Sequence, residues 1–157
     1  MDQIAERFFD QDETRALYTD PSDTDAFVTS VYANVLGRTP DAGGFTFWKG
    51  KLSANEVTQG AFVLNIIEAV KNGGGSSDAA YLSDKTDLGI YFSAIKGLSD
   101  STDGSQVMAI FGDQATSNKT NAKTAIDEHY ADATASGDGE FIFNVVGVVS
   151  DPFAGIG

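Results

Sequence analysis

Cysteine is absent from this chain, which removes disulfide bridges, zinc–thiolate sites and thiol nucleophiles together. Histidine is nearly absent too. His129 alone is left for acid–base or metal work, so most soft-metal and triad chemistry has no support. Basic residues are few, with 10 Lys and Arg against 23 Asp and Glu and a net charge of −13. So acidic a chain lacks the basic face that duplex phosphates require, and no nucleic-acid partner is expected. No apolar run approaches the roughly 20 residues of a membrane span, so no membrane insertion is expected. Nor does a basic stretch followed by an apolar one open the chain, so a Sec-type signal is not expected either.

What is present suffices for folding. Hydrophobic residues make up 41% of the 157, including 11 Phe and 5 Tyr, enough for one sizeable core or two small subdomains. An acidic balance with 17 Gly, abundant Asp, Ser, Thr and Asn, and no Cys is the composition of chains exported without an N-terminal signal. The expected compartment is therefore extracellular or the cell surface, with the cytoplasm as the alternative.

Hydrophobic spacing predicts a mainly α protein, a helical bundle in two halves. Residues 4–18 read as one frayed or broken helix. In 23–36, Phe27, Val28, Val31, Tyr32, Val35 and Leu36 line one helical face, with Asp23 or Asp25 as cap and Gly37 at the left-handed position beyond the end. Asp41 is expected to cap a short helix carrying Phe45, Phe47, Trp48 and Leu52. Ser53-Ala54-Asn55-Glu56 fits a capping box that opens a helix through Val57, Ala61, Leu64, Ile67 and Val70. The glycine–serine run at 73–77 marks a linker, giving halves 1–72 and 78–157. Beyond it, 78–82 reads as a helical turn, and Ser83 or Asp84 caps a helix with Leu88, Tyr91, Phe92 and Ile95 that Gly97 closes. Residues 99–105 read as a polar loop, 106–111 as a short apolar segment, and 115–135 as a long alanine-rich helix. The apolar tail at 141–149 is rich in β-branched and aromatic residues and reads as a small β element.

Catalytic signals are weak. Ser93-Ala94-Ile95-Lys96 has the Ser-x-x-Lys spacing, but the companion motifs that make it meaningful are missing. No phosphate-cradling glycine loop or nucleophile elbow occurs. His129 and Tyr130 are candidate haem or acid–base residues, although neighbouring helical residues point about 100° apart. Calcium prefers six to eight hard oxygens, and Asp100 and Asp103 in Asp100-Ser101-Thr102-Asp103-Gly104 come nearest to a loop that supplies them. That stretch lacks the closing bidentate glutamate.

One motif stands out. Tyr32 precedes Leu36-Gly37-Arg38-Thr39-Pro40-Asp41, followed by Gly44 and Trp48. Each residue has a physical reading: Gly37 ends a helix, Pro40 blocks its continuation and Asp41 caps the next. Arg38 pairs with Asp41 or binds helix-end carbonyls, and Tyr32 and Trp48 pack the corner. Over about residues 24–71 the chain resembles a bacterial domain-of-unknown-function family with the core L-G-R-x-P-D-x-x-G-x-x-x-W. This core is similar to a local motif of the phycobilisome-linker helical domain. The resemblance implies secreted surface proteins, among them S-layer proteins and adhesins exported by type I machinery alongside calcium-binding repeats.

The resulting expectation is a non-enzymatic extracellular subunit of surface-layer, filament or adhesin type. The tail reads as an uncleaved C-terminal secretion signal or as an assembly segment, in which case self-association is expected through Phe141, Phe143, Val145, Val146 and Val148, with calcium as an assisting ion and no certain cofactor. The alternatives are a secreted protein that binds a small ligand, haem or calcium, and a hydrolase that uses paired carboxylates.

Overall fold

In the computed structural model, the described residues are 23–73, 76–135 and 152–154, with Arg7, Gln11, Thr14 and Tyr18. The chain divides into two compact units, Met1–Ala80 and Tyr81–Gly157.

In the first unit, Asp23 is extended and its carboxylate accepts the N–H groups of Asp25 and Ala26, which starts helix α1 (Thr24–Leu36). Gly37 ends it at φ 63°, donating its N–H to the Ala33 carbonyl. A left-handed turn here suits only glycine well. Asp41 caps α2 (Ala42–Ser53), and Thr58 caps α3 (Gln59–Lys71). The core is built from Phe27, Val28, Val31, Tyr32 and Leu36 of α1 and Phe62, Ile66 and Val70 of α3, joined by Tyr18. The Phe27 and Phe62 rings meet edge-on at 5.8 Å, and Trp48 of α2 lies 4.9 Å from Phe62.

The capping box expected at Ser53 does not form. α2 consumes Ser53 as its last residue, Asn55 turns the chain at φ 54°, and Glu56 pairs with Lys51 instead of reaching back. The exposed amides of the next helix are met by Thr58, whose hydroxyl accepts from Ala61 N–H at 3.3 Å. Starting at Gln59, α3 turns Gly60, Phe62, Ile66 and Val70 inward, so Val70 is the one residue of the expected face that is buried.

In the second unit, α4 (Ser76–Ile90) begins within the first unit and continues into a π-helical turn, Tyr91–Ile95. The separate turn and cap expected at 78–84 are one continuous helix, in which Asp84 binds Lys119 rather than backbone amides. Gly97, at φ 71°, closes it as expected. The loop expected at 99–105 is the first turn and a half of α5 (Ser101–Phe111), because Asp100 caps it with bonds from Thr102 and Asp103 N–H. Asn118 then caps α6 (Lys119–Thr134), which starts four residues later than expected because Asp113 and Thr116 close a turn first. The core joins Tyr81, Leu88, Tyr91, Leu98, Val107, Phe111 and Phe153 to the small residues Ala122, Ala125 and Ala133 and to Ile126 of α6. Those alanines allow α5 and α6 to pack closely.

The protein is mainly α, with six helices and no strand among the described residues. None of those helices is long and apolar enough to cross a membrane. The β element expected at 141–149, including Phe141, Phe143, Val145, Val146 and Val148, lies outside the described residues, as does most of the helix expected at 4–18.

Candidate functional site

The sequence motif folds into the corner between α1 and α2. Gly37 lets the chain leave α1, Pro40 precedes the cap, and Asp41 Oδ1 accepts the Gly44 N–H at 2.9 Å. That amide bond, aided by Arg38, holds the Asp41 carboxyl below the usual range. Tyr32 is 6% exposed, and its hydroxyl sits where a Cβ on Gly44 would fall, 2.6 Å away. Burial raises the Tyr32 phenol, partly offset by Arg38 and by a hydrogen bond with Trp48. Arg38 lies over the Tyr32 ring at 5.2 Å.

Arg38 finds its main partner outside the motif. Its Nε and Nη2 donate to Oδ1 and Oδ2 of Asp78 at 2.7 and 2.8 Å, a two-pronged pair. Nη1 donates to the Thr39 carbonyl at 3.1 Å, while Asp41 Oδ2 stands 3.9 Å off. The expected pairing with Asp41 is thus the weaker contact, and the carbonyl that Arg38 meets is that of Thr39 in the loop between the helices rather than a helix-end carbonyl. Asp78 is 7% exposed on the first turn of α4. The sequence signal that could have found it is slight: an acid just past the glycine run, at a helix start.

The other expected site residues are placed as follows. Asp100 serves α5 as its cap, and the amides of Asp103 and Thr102 keep its carboxyl below the usual range. Asp103 stands 3.3 Å from His129 Nδ1. No group of three His, Asp or Glu side chains spaced to hold a metal ion occurs among the described residues. Tyr130 lies on α6 next to His129, but its ring faces Lys96, whose Nζ is 4.5 Å from the ring centre.

A second polar cluster, unanticipated from the sequence, is centred on Asp127. It accepts from the Tyr91 hydroxyl at 2.7 Å, from Lys96 at 2.7 Å and from Lys123 at 2.8 Å. Burial opposes its ionisation, yet the two ammonium groups and the phenol outweigh that and hold its carboxyl at about 2. Lys119 is held by Asp84 at 2.8 Å and Asp87 at 2.6 Å. In the first unit, a cleft of about 410 Å³ is lined by Thr24, Phe27, Leu52, Asn55, Val57, Thr58 and Gln59.

The first unit is thus a small helical domain organised around an arginine-braced corner. Residues 5–74 match a domain of unknown function, DUF4214, and span the whole motif from Tyr32 to Trp48. Searches among curated proteins and among solved structures returned no match.

Proposed function

We propose that the chain is a non-enzymatic extracellular structural subunit of surface-layer, filament or adhesin type that self-associates. The observation that carries this reading is how the motif uses its polar groups. Arg38 is engaged by both oxygens of Asp78, Asp41 by the Gly44 amide, and the Tyr32 hydroxyl fills the space over Gly44. A motif whose polar groups are taken up by partners within the fold holds a shape rather than turning over a substrate. The charge of −13 and the absence of Cys agree with an exported chain, and the apolar composition of 141–149 supports self-association as the reading of that stretch.

Light scattering after size exclusion, with calcium and then with chelator, tests the proposal. Polymers that dissolve on chelation support a calcium-assisted assembly, and a monomer in both buffers refutes it. Phe143→Asp is expected to block assembly while the helical circular dichroism is unchanged; assembly that persists removes the tail from the mechanism. The polar cleft around Asn55 and Thr58 favours one second reading, a secreted protein binding a small polar ligand. Thermal shift across a panel of sugars and amino acids would register such binding.

A further inference from the structure

We propose that the cleft of the first unit binds an uncharged, hydroxyl-rich ligand, a single neutral sugar ring. This rests on the reading of that cleft as a small-ligand site and names the class of ligand it takes.

The lining decides the class. Charged residues make up 21% of the chain, yet no described residue lining the cleft is charged. An ammonium, carboxylate or phosphate entering it would lose water and meet no opposite charge, which disfavours ionic ligands. The carboxylates next along the chain are engaged elsewhere: Asp23 by the amides of Asp25 and Ala26, Asp25 by Lys49 at 2.7 Å, and Glu56 by Lys51. Phe27, Leu52 and Val57 supply apolar surface, and Thr24, Asn55, Thr58 and Gln59 supply hydroxyl and carboxamide groups. Hydroxyls and carboxamides both donate and accept, as the hydroxyls of a sugar do. A pyranose carries the same two chemistries, a face of C–H groups and a rim of hydroxyls. At about 410 Å³ the cleft lies at the low end of the ~300–1,000 Å³ of small-molecule pockets, room for one ring rather than a long chain.

Two of the polar groups are set by the fold. The Thr58 hydroxyl oxygen accepts the Ala61 N–H at 3.3 Å, which leaves its O–H to donate to a ligand. Asn55 stands in the left-handed region at φ 54°, the one non-glycine residue there among those described. Its N–H donates to the Leu52 carbonyl at 3.0 Å, which ties this turn to the apolar wall. Glycine would hold the turn with less strain, and the chain instead carries an exposed carboxamide at the cleft. Backbone held in a sparsely populated region is common where a binding side chain must be fixed.

Nuclear magnetic resonance titration of the full chain tests this, with glucose, galactose and N-acetylglucosamine as neutral probes. Glucuronate, galacturonate and glucosamine are their charged counterparts, and alanine is the non-sugar control. At least one neutral sugar is expected to shift the amides of 55–59 saturably and to bind at least tenfold more tightly than its charged counterpart. Asn55→Gly keeps the turn and removes the carboxamide, so binding is expected to weaken at least tenfold while the thermal midpoint holds or rises. Should that variant lose its helical circular dichroism, Val57→Trp, which occupies the cleft, takes its place, with loss of binding expected. A charged counterpart that binds as tightly, binding indifferent to the variant, or alanine alone shifting those amides overturns the sugar class and leaves the cleft standing as a ligand site. If no probe shifts them, the inference and the small-ligand reading beneath it both fall.

Discussion

Gly44 shows how much one missing side chain decides. It sits in the first turn of α2, where alanine would favour the helix, yet its Cβ would lie 2.6 Å from the Tyr32 hydroxyl and 3.3 Å from Asp41 Oδ2. The Tyr32 ring is packed in the core under Arg38 and has little room to retreat. Gly44→Ala is expected to destabilise by about 1–3 kcal/mol, and Tyr32→Phe, by removing the hydroxyl, to restore much of that loss in a double-mutant cycle. Gly50 on the same helix has open space around it, so Gly50→Ala is expected to stabilise by about 0.5–1 kcal/mol. Urea unfolding midpoints read all three. Asp78→Ala leaves a partly buried guanidinium without its carboxylate and is expected to cost about 2 kcal/mol. At this scale the sequence revealed that Gly37, Pro40 and Asp41 turn a corner, because each of those roles is local. It did not reveal that Gly44 makes room for Tyr32 or that Arg38 answers to Asp78, because those contacts span 12 and 40 residues.

Caps separate the helices that were legible from those that were not. Asp23 and Asp41 start α1 and α2 where acidic residues ahead of apolar periods predict it. At Ser53 the local pattern is equally good, but α2 runs one residue past Leu52 and consumes it, a competition between neighbours that a capping box cannot report. Thr58→Ala is therefore expected to lose about 1 kcal/mol while Ser53→Ala changes little, again by urea unfolding. Asp100 was hidden for a different reason. Its helix opens with Ser, Thr, Asp and Gly, weak formers that α5 tolerates because Val107 and Phe111 anchor its far end in the core. The π-helical turn at Tyr91–Ile95 had no signature in the hydrophobic period. It widens one turn so that Lys96 N–H reaches the Tyr91 carbonyl, and the same stretch presents the Tyr91 hydroxyl and the Lys96 ammonium to Asp127.

Acid response belongs to the whole molecule. In the folded chain the Asp127 carboxyl is held at about 2 by Lys123, Lys96 and Tyr91 against the cost of burial, while an unfolded aspartate titrates near 3.9. The unfolded state therefore binds the proton first as pH falls. The stability that Asp127 contributes is complete above about pH 4 and lost as pH drops towards 2. Asp127→Asn is expected to flatten that part of the profile of unfolding midpoint against pH between 5 and 2, and to lower stability at neutral pH. Fold class was readable from spacing, since a mainly α chain announces itself through period and caps, whereas the division into compact units falls at Ala80 within α4 and not at the glycine–serine run at 73–77. Of the Asp127 cluster only the Lys123 pair, four residues away on α6, lies within local reach; Tyr91 and Lys96 come from the π-helical turn and its end, more than 30 residues away, and meet Asp127 only after folding.

The Arg38–Asp78 pair also bears on where this chain can be cut. The stretch that similarity marks out ends at residue 74, four residues short of Asp78, whereas the first compact unit runs to Ala80. A fragment trimmed to the recognisable stretch keeps the arginine and discards its acid, so low yield or aggregation of such a piece would reflect a severed ion pair rather than an unstable domain. Extending the fragment to residue 80 restores the pair at a cost of six residues.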